Sequence, residues 1–196
     1  MPRRLVFAAP SGYITQDSPS LHHAQDSLGG RIRRKRQIRM ATYDILVLNG
    51  PNLGHLGRRQ PEIYGSQGMD DLPAMFRELM GHKAGEVRLS FHQSNSEGGL
   101  IDRLEQAWKE GVHGIALNAG AYTHTSLALA DCLAWIGIPC VEVHLSNIWA
   151  RTDEPLRQKS FIGTKCIGVV AGFGLLSYAL AVQALWRHLS SSETKQ

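Results

Sequence analysis

Two residues of complementary acid–base character frame the chemistry open to this chain. Tyr64 follows a pair of arginines in Arg58-Arg59-Gln-Pro-Glu-Ile-Tyr64, and His144 ends the apolar run Cys140-Val-Glu-Val-His144. A free phenol titrates near pH 10, and a cation within hydrogen-bonding range lowers an acidic group by about 1–3 units. Arg59 therefore brings a Tyr64 phenolate within reach of neutrality. An imidazole ordinarily titrates near 6.5, which suits His144 to the complementary role of acid. A base on a loop and an acid at a strand end would straddle a small molecule and remove a proton and a hydroxyl from adjacent carbons. On spacing alone this is one reading among several.

The elements that position these residues follow from the apolar pattern. Ile45–Leu48 is an apolar run stopped by Asn49-Gly50-Pro51-Asn52, as a buried strand entering a turn would be. Apolar residues recur at helical spacing in Asp71–Met80 and again in Glu97–Glu110. Strands are expected near Val87–Phe91, Gly114–Leu117, Pro139–Val143 and Cys166–Val170. A third helix is expected over His124–Trp135, capped by Thr123 or Thr125, and a last one from about Gly174 to Leu189. Five strands alternating with helices predict an α/β fold, a parallel sheet with helices on both faces.

In such sheets ligands bind beyond the carboxyl ends of the strands, and the chain places its polar residues there. Asn49 and Asn52 follow the first strand; Gln93, Ser94 and Asn95 the second; Asn118 and Tyr122-Thr-His124-Thr the third; Glu142, His144, Ser146 and Asn147 the fourth. Arg151 and Arg157 stand in the loop beyond. Uncharged donors and acceptors dominate, so the implied ligand is small, oxygen-rich and anionic. The Asn52–Gly68 connection is long for a βα loop, commonly about two to six residues, and reads as a lid with Gly54, Gly57, Gly65 and Gly68 as hinges.

Composition removes other classes. Residues 1–39 hold eight of the 21 Lys and Arg but only two of the 17 Asp and Glu, leaving 13 basic against 15 acidic residues in the rest. The basic balance belongs to the leader, and the body has no net charge suited to nucleic acid. The leader shows no periodicity and reads as a solvated, disordered extension ahead of a domain over residues 40–196, with Met40 as a candidate start. Three cysteines give no disulfide framework and no zinc pattern, and suit a reducing, cytoplasmic setting. The uncharged stretch Cys166–Trp186 is long enough for a bilayer, but Gly168, Gly172 and Gly174 divide it; a central strand and a buried helix explain it better. No membrane segment is expected.

Four segments in series resemble the type II 3-dehydroquinate dehydratases (type II dehydroquinases): Asn49-Gly-Pro-Asn52-Leu-Gly-His-Leu-Gly-Arg-Arg59-Gln-Pro-Glu-Ile-Tyr64-Gly, Gln93-Ser-Asn-Ser-Glu-Gly98, Asn118-Ala-Gly-Ala-Tyr-Thr-His124-Thr-Ser, and Glu142-Val-His144-Leu-Ser146-Asn-Ile. The similarity runs from about Tyr43 to Leu189. It implies a flavodoxin-like fold with a five-stranded parallel sheet. It also implies a cofactor-free lyase, with no metal, that converts 3-dehydroquinate to 3-dehydroshikimate and water through an enolate. That step serves the shikimate pathway or quinate catabolism.

By the same resemblance, Tyr64 takes the C2 proton, Arg59 keeps its phenol acidic, a water near Asn52 stabilises the enolate, and His144 protonates the departing hydroxyl. Asn118 and His124 bind ring hydroxyls, the Leu145–Ser146 backbone the carboxylate, and Arg157 a further hydroxyl. Asp131 reaches the site of a neighbouring subunit, in trimers that assemble into a dodecamer. Two departures stand out. Gln60 replaces an acidic residue of the family, and Arg151-Thr-Asp-Glu-Pro-Leu-Arg157 is two residues longer than usual, which makes Arg151 the less favoured match for the arginine assigned to Arg157.

Several of these residues also have plainer readings. Ser94 with Glu97 matches a capping box. Glu142 is either a partner across strands or an orienter of His144. A phosphate- or nucleotide-binding module of the same fold is the rival reading, but the first turn has no G-x-G-x-x-G and no Lys-Ser/Thr ending.

Overall fold

The computed structural model describes residues 42–56 and 68–193. The leader over 1–39, Met40, and the loop residues Arg58, Arg59, Gln60 and Tyr64 lie outside the described residues. Five strands, β1 (Tyr43–Asn49), β2 (Val87–Gln93), β3 (Gly114–Asn118), β4 (Cys140–His144) and β5 (Gly168–Ala171), form one all-parallel sheet in the order β2-β1-β3-β4-β5. This is the flavodoxin-like α/β architecture.

Alternation along the central strands splits the core into two layers. Tyr43, Ile45 and Val47 of β1 and Val141 and Val143 of β4 face helices α1 (Leu72–Met80) and α4 (Leu176–Glu193). Leu46, Leu48, Ile115, Leu117 and Cys140 face α2 (Glu97–Lys109) and α3 (Leu127–Ile136). With both faces covered, β1, β3 and β4 read as near-continuous apolar runs, which is why composition located them. Among the described residues no helix is long and apolar enough to cross a membrane. The uncharged stretch is β5 followed by α4.

Two local expectations need correction. The third helix starts at Leu127, not His124, and its cap is Ser126, whose hydroxyl accepts from Leu129 N at 2.9 Å. His124 instead ends a 3₁₀ turn over Gly120–His124. The Ser94–Glu97 capping box does not form. Ser96 caps α2, accepting from Gly99 N at 3.3 Å, while the Ser94 hydroxyl accepts from Ser96 N at 3.1 Å. In each case several adjacent hydroxyls competed for the cap, and the one nearest the first helical turn took it.

A buried hydrogen-bonded chain fastens α4 beneath the carboxyl ends of β1 and β3. The Tyr178 hydroxyl accepts from Asn118 Nδ2 at 2.9 Å and donates to Asn49 Oδ1 at 2.7 Å. Burial pushes the Tyr178 phenol well above its ordinary range, so it stays neutral and can serve as donor. At the same ends Gly50 N donates to Asn118 O at 2.7 Å, an approach so close that a Cβ on Gly50 would stand 2.4 Å from the Ala119 carbonyl oxygen. Tyr178→Phe leaves the buried Asn49 and Asn118 amides each short of a partner. It should lower stability by about 1–3 kcal/mol with the fold retained, as measured by urea unfolding. A change within 0.3 kcal/mol (about the scatter of such measurements) would contradict this account of the chain's role.

Candidate functional site

The strand order reverses at β1, so the β1–β2 and β2–β3 connections leave the sheet on opposite sides and open a crevice at the carboxyl ends of β1 and β3. A cleft of about 200 Å³ occupies that place. Pro51, Asn52, Leu53 and Leu56 enter it from beyond β1; Asn118, Gly120, Ala121 and His124 from beyond β3; His144, Leu145, Ser146, Ile148, Arg151 and Arg157 from beyond β4. Seven of the residues singled out in the sequence therefore meet in one wall: Asn52, Asn118, His124, His144, Leu145, Ser146 and Arg157. Arg59 and Tyr64 lie outside the described residues. Asp131 is exposed on α3 and does not line the cleft of its own chain.

Local conformation explains how each side chain is held. Asn52 is the only non-glycine residue among those described with a left-handed backbone, φ 66°, a state that asparagine tolerates better than most. Its amide N–H donates to Asn95 Oδ1 at 3.0 Å, and Gln93 Nε2 donates to the same oxygen at 2.9 Å. The turn after β1 is thus tied to the end of β2. Asn118 spends part of its amide on Tyr178 and accepts from Gly120 N at 3.2 Å, leaving one amide proton and one lone pair for a ligand.

The two histidines are close and nearly parallel, with ring centroids 6.3 Å apart and an interplanar angle of 14°. His124 Nδ1 lies 2.6 Å from the Lys159 carbonyl. A carbonyl only accepts, so the proton sits on Nδ1 and a neutral ring turns an acceptor, Nε2, to other partners. His144 Nε2 donates to Glu142 Oε1 at 2.5 Å, which leaves Nδ1 as the nitrogen able to exchange a proton with a molecule in the cleft. Glu142 is fully buried, and its other oxygen accepts from the Ser160 hydroxyl at 2.7 Å. Ser160 in turn accepts from Gly163 N at 2.8 Å. A Cβ on Gly163 would stand 2.8 Å from Glu142 Oε2, so glycine there lets the loop close on the carboxylate.

Glu142 and Ser160 do not touch the cleft but set the ring that does. Glu142 is thereby the orienter of His144, and not a partner across strands. A carboxylate two residues before a histidine on an otherwise apolar strand was the available signal, because both side chains fall on one face. Arg151 is the residue that sequence reasoning undervalued. It lines the cleft alongside Arg157 and donates from Nη2 to Ser146 Oγ at 2.8 Å. Arg157 is ion-paired with Glu154 of the same loop. Two guanidinium groups and two imidazoles around uncharged amides make a wall for a small anion with several hydroxyls. Among the described residues no group of His, Cys, Asp and Glu is arranged to hold a metal.

Fold and cleft together describe a flavodoxin-like α/β chain with a cleft of polar side chains at the carboxyl ends of its strands. The family model for class II dehydroquinases matches residues 43–186. A 3-dehydroquinate dehydratase of an Exiguobacterium species is 52% identical over 144 residues, covering 74% of this chain and 94% of that protein. The enzyme of the same name from Pelodictyon phaeoclathratiforme is 51% identical over 147 residues, covering 74% and 93%. The crystal structure of a type II dehydroquinase from Butyrivibrio crossotus superposes with a TM-score of 0.66 at 39% identity, over 74% of this chain and 97% of that one. The chain belongs to the class II dehydroquinase family, whose members are hydro-lyases.

The ring-proton positions can be read directly. Imidazole ¹⁵N spectra of the neutral protein should show His124 with its proton on Nδ1 and His144 with its proton on Nε2. The reverse assignment at His144 would contradict the Glu142 contact.

Proposed function

We propose that this protein is a 3-dehydroquinate dehydratase that eliminates water in an anti sense through an enolate. The observation that carries the reading is His144, held by a buried carboxylate at the rim of a cleft rich in anion-binding donors, in a chain of this family. The substrate carboxylate lies on the Leu145–Ser146 backbone, where Arg151 already braces the Ser146 hydroxyl. Asn118 and His124 take ring hydroxyls through the amide proton, lone pair and Nε2 that their internal bonds leave open, and Arg157 takes another.

The base, Tyr64, belongs by sequence to the connection between Leu56, which lines the cleft, and Gly68. Tyr64, kept acidic by Arg59, removes the C2 proton, and the electron pair moves onto the C3 carbonyl oxygen as an enolate. A water held near Asn52 offsets that charge, in line with the usual gain from donors aimed at a developing oxyanion. The enolate then expels the C1 hydroxyl, which leaves as water with the Nδ1 proton of a doubly protonated His144 ring, whose other N–H stays on Glu142. Glu142 acts only through His144, fixing which nitrogen carries the mobile proton.

Asp131, exposed and remote from its own cleft, supports the further reading that a neighbouring subunit receives it, in trimers that pair into a dodecamer. Three free thiols suit the cytoplasm. Both fates of the product, the shikimate pathway and quinate catabolism, use this same step, and nothing in the cleft separates them.

The elimination creates a conjugated enone, so adding the protein to 3-dehydroquinate should produce a steady rise in ultraviolet absorbance. A flavodoxin-like binding module would give none. Tyr64→Phe keeps the ring and removes the base. It should lower kcat by at least the roughly 10²–10⁴-fold ascribed to general base catalysis, with KM changed less than threefold (about 0.65 kcal/mol of binding). Turnover within a factor of two of the parent would remove Tyr64 from the mechanism.

A further inference from the structure

The two thiols at the start of β4 and just before β5 stand apart from the cleft chemistry. Cys140 opens β4 and is buried, while Cys166 is half-buried at the end of the 3₁₀ turn Gly163–Lys165. β4 and β5 are paired in parallel with Val141 opposite Gly168, and Ile167 N donates to the Cys140 carbonyl at 2.8 Å. Cys140 therefore faces Ile167, and Cys166 lies one residue back along a chain still extended there, with φ −99° and ψ 153°. Strands about 4.8 Å apart with a rise of about 3.3 Å per residue put such diagonal neighbours roughly 5.8 Å apart at Cα. Disulfides prefer about 5.5–6 Å. Both side chains border the same core layer, with the two thiols close enough to influence each other.

We propose that Cys140 and Cys166 form an oxidisable dithiol site that closes to a disulfide when the folded protein meets a peroxide. The adjoining Cys166 thiol, burial and the nearby Glu142 carboxylate push the Cys140 thiol well up, so the half-buried Cys166 reacts first. Its thiolate attacks one peroxide oxygen and the O–O bond breaks, giving a sulfenic acid and hydroxide. The Cys140 sulfur then displaces the sulfenic hydroxyl. The S–S bond forms, and the hydroxyl leaves as water with the Cys140 proton. Both sulfurs are oxidised by one each, and the peroxide is reduced to two oxygens at the level of water.

The site has a structural consequence because of where the segment before Cys166 is anchored. Ser160 holds Glu142, Gly163 N holds Ser160, and Cys166 N donates to Gly163 O at 3.2 Å. A Cys140–Cys166 bond fastens the segment that carries the Glu142 clamp to the strand that carries Glu142. Cys132 sits on α3, where burial pushes its thiol to about 11, and takes no part.

The test treats the full-length folded protein with hydrogen peroxide, blocks remaining thiols after unfolding, and maps peptides by mass spectrometry. The expected result is an intact mass lower by two hydrogens, restored by dithiothreitol, with one cross-linked peptide joining Cys140 to Cys166 and Cys132 alkylated. Cys132→Ser should retain the two-hydrogen loss and Cys166→Ser should abolish it. A bond through Cys132, a bond between chains, or conversion of Cys166 to a sulfinic acid without any Cys140 cross-link would each overturn the proposal.

Discussion

A carboxylate placed where no water reaches it must be answered by donors, since an unpaired charge in an interior costs several kcal/mol. Glu142 is in that position, at the middle of a central strand, and much of the site exists to satisfy it. One oxygen is met by His144 and the other by Ser160, and the loop that brings Ser160 can approach only because residue 163 has no side chain. The neighbouring Lys159 carbonyl fixes His124 in the same stroke. Two imidazoles are thus set in orientation and tautomer by one buried charge and the loop that closes over it. Neither ring depends on a ligand to arrange it.

Around that constraint the fold builds a stiff wall. Asn49, Asn118 and Tyr178 lock β1, β3 and α4 together immediately below the cleft, and the turn at Asn52 is pinned to the end of β2. Catalytic groups need placement to within a fraction of an ångström, which short strands and buried polar links provide better than loops do. His144, the proton donor of the proposed mechanism, therefore stands at a strand end. The base proposed at Tyr64 belongs by sequence to the connection between β1 and α1.

Much of this was legible in the residues. The strands showed as apolar runs because a doubly covered parallel sheet buries both faces, and the cleft residues showed as polar types clustered just past each run. Less visible was anything decided by competition between equals. Thr123, Thr125 and Ser126 are three plausible caps in four positions, and a 3₁₀ turn that begins at Gly120, with φ 58°, decided in favour of the last. The Arg151–Arg157 loop is similar. The resemblance favoured one arginine, while the folded loop puts both in the wall. Asp131 illustrates a different limit, because the role that the resemblance implies for it, in a neighbouring subunit, would leave no trace in the packing of one chain.

The central claim is that Glu142 has no function of its own and acts wholly through His144. A double-mutant cycle on turnover measures that dependence without reference to any structure. Glu142→Gln should lower kcat by roughly 10- to 150-fold in the parent, the equivalent of about 1.5–3 kcal/mol for a hydrogen bond to a charged group. In a His144→Ala background the same change should have almost no further effect. Equal losses in the two backgrounds would show Glu142 working independently of His144, and would contradict the account.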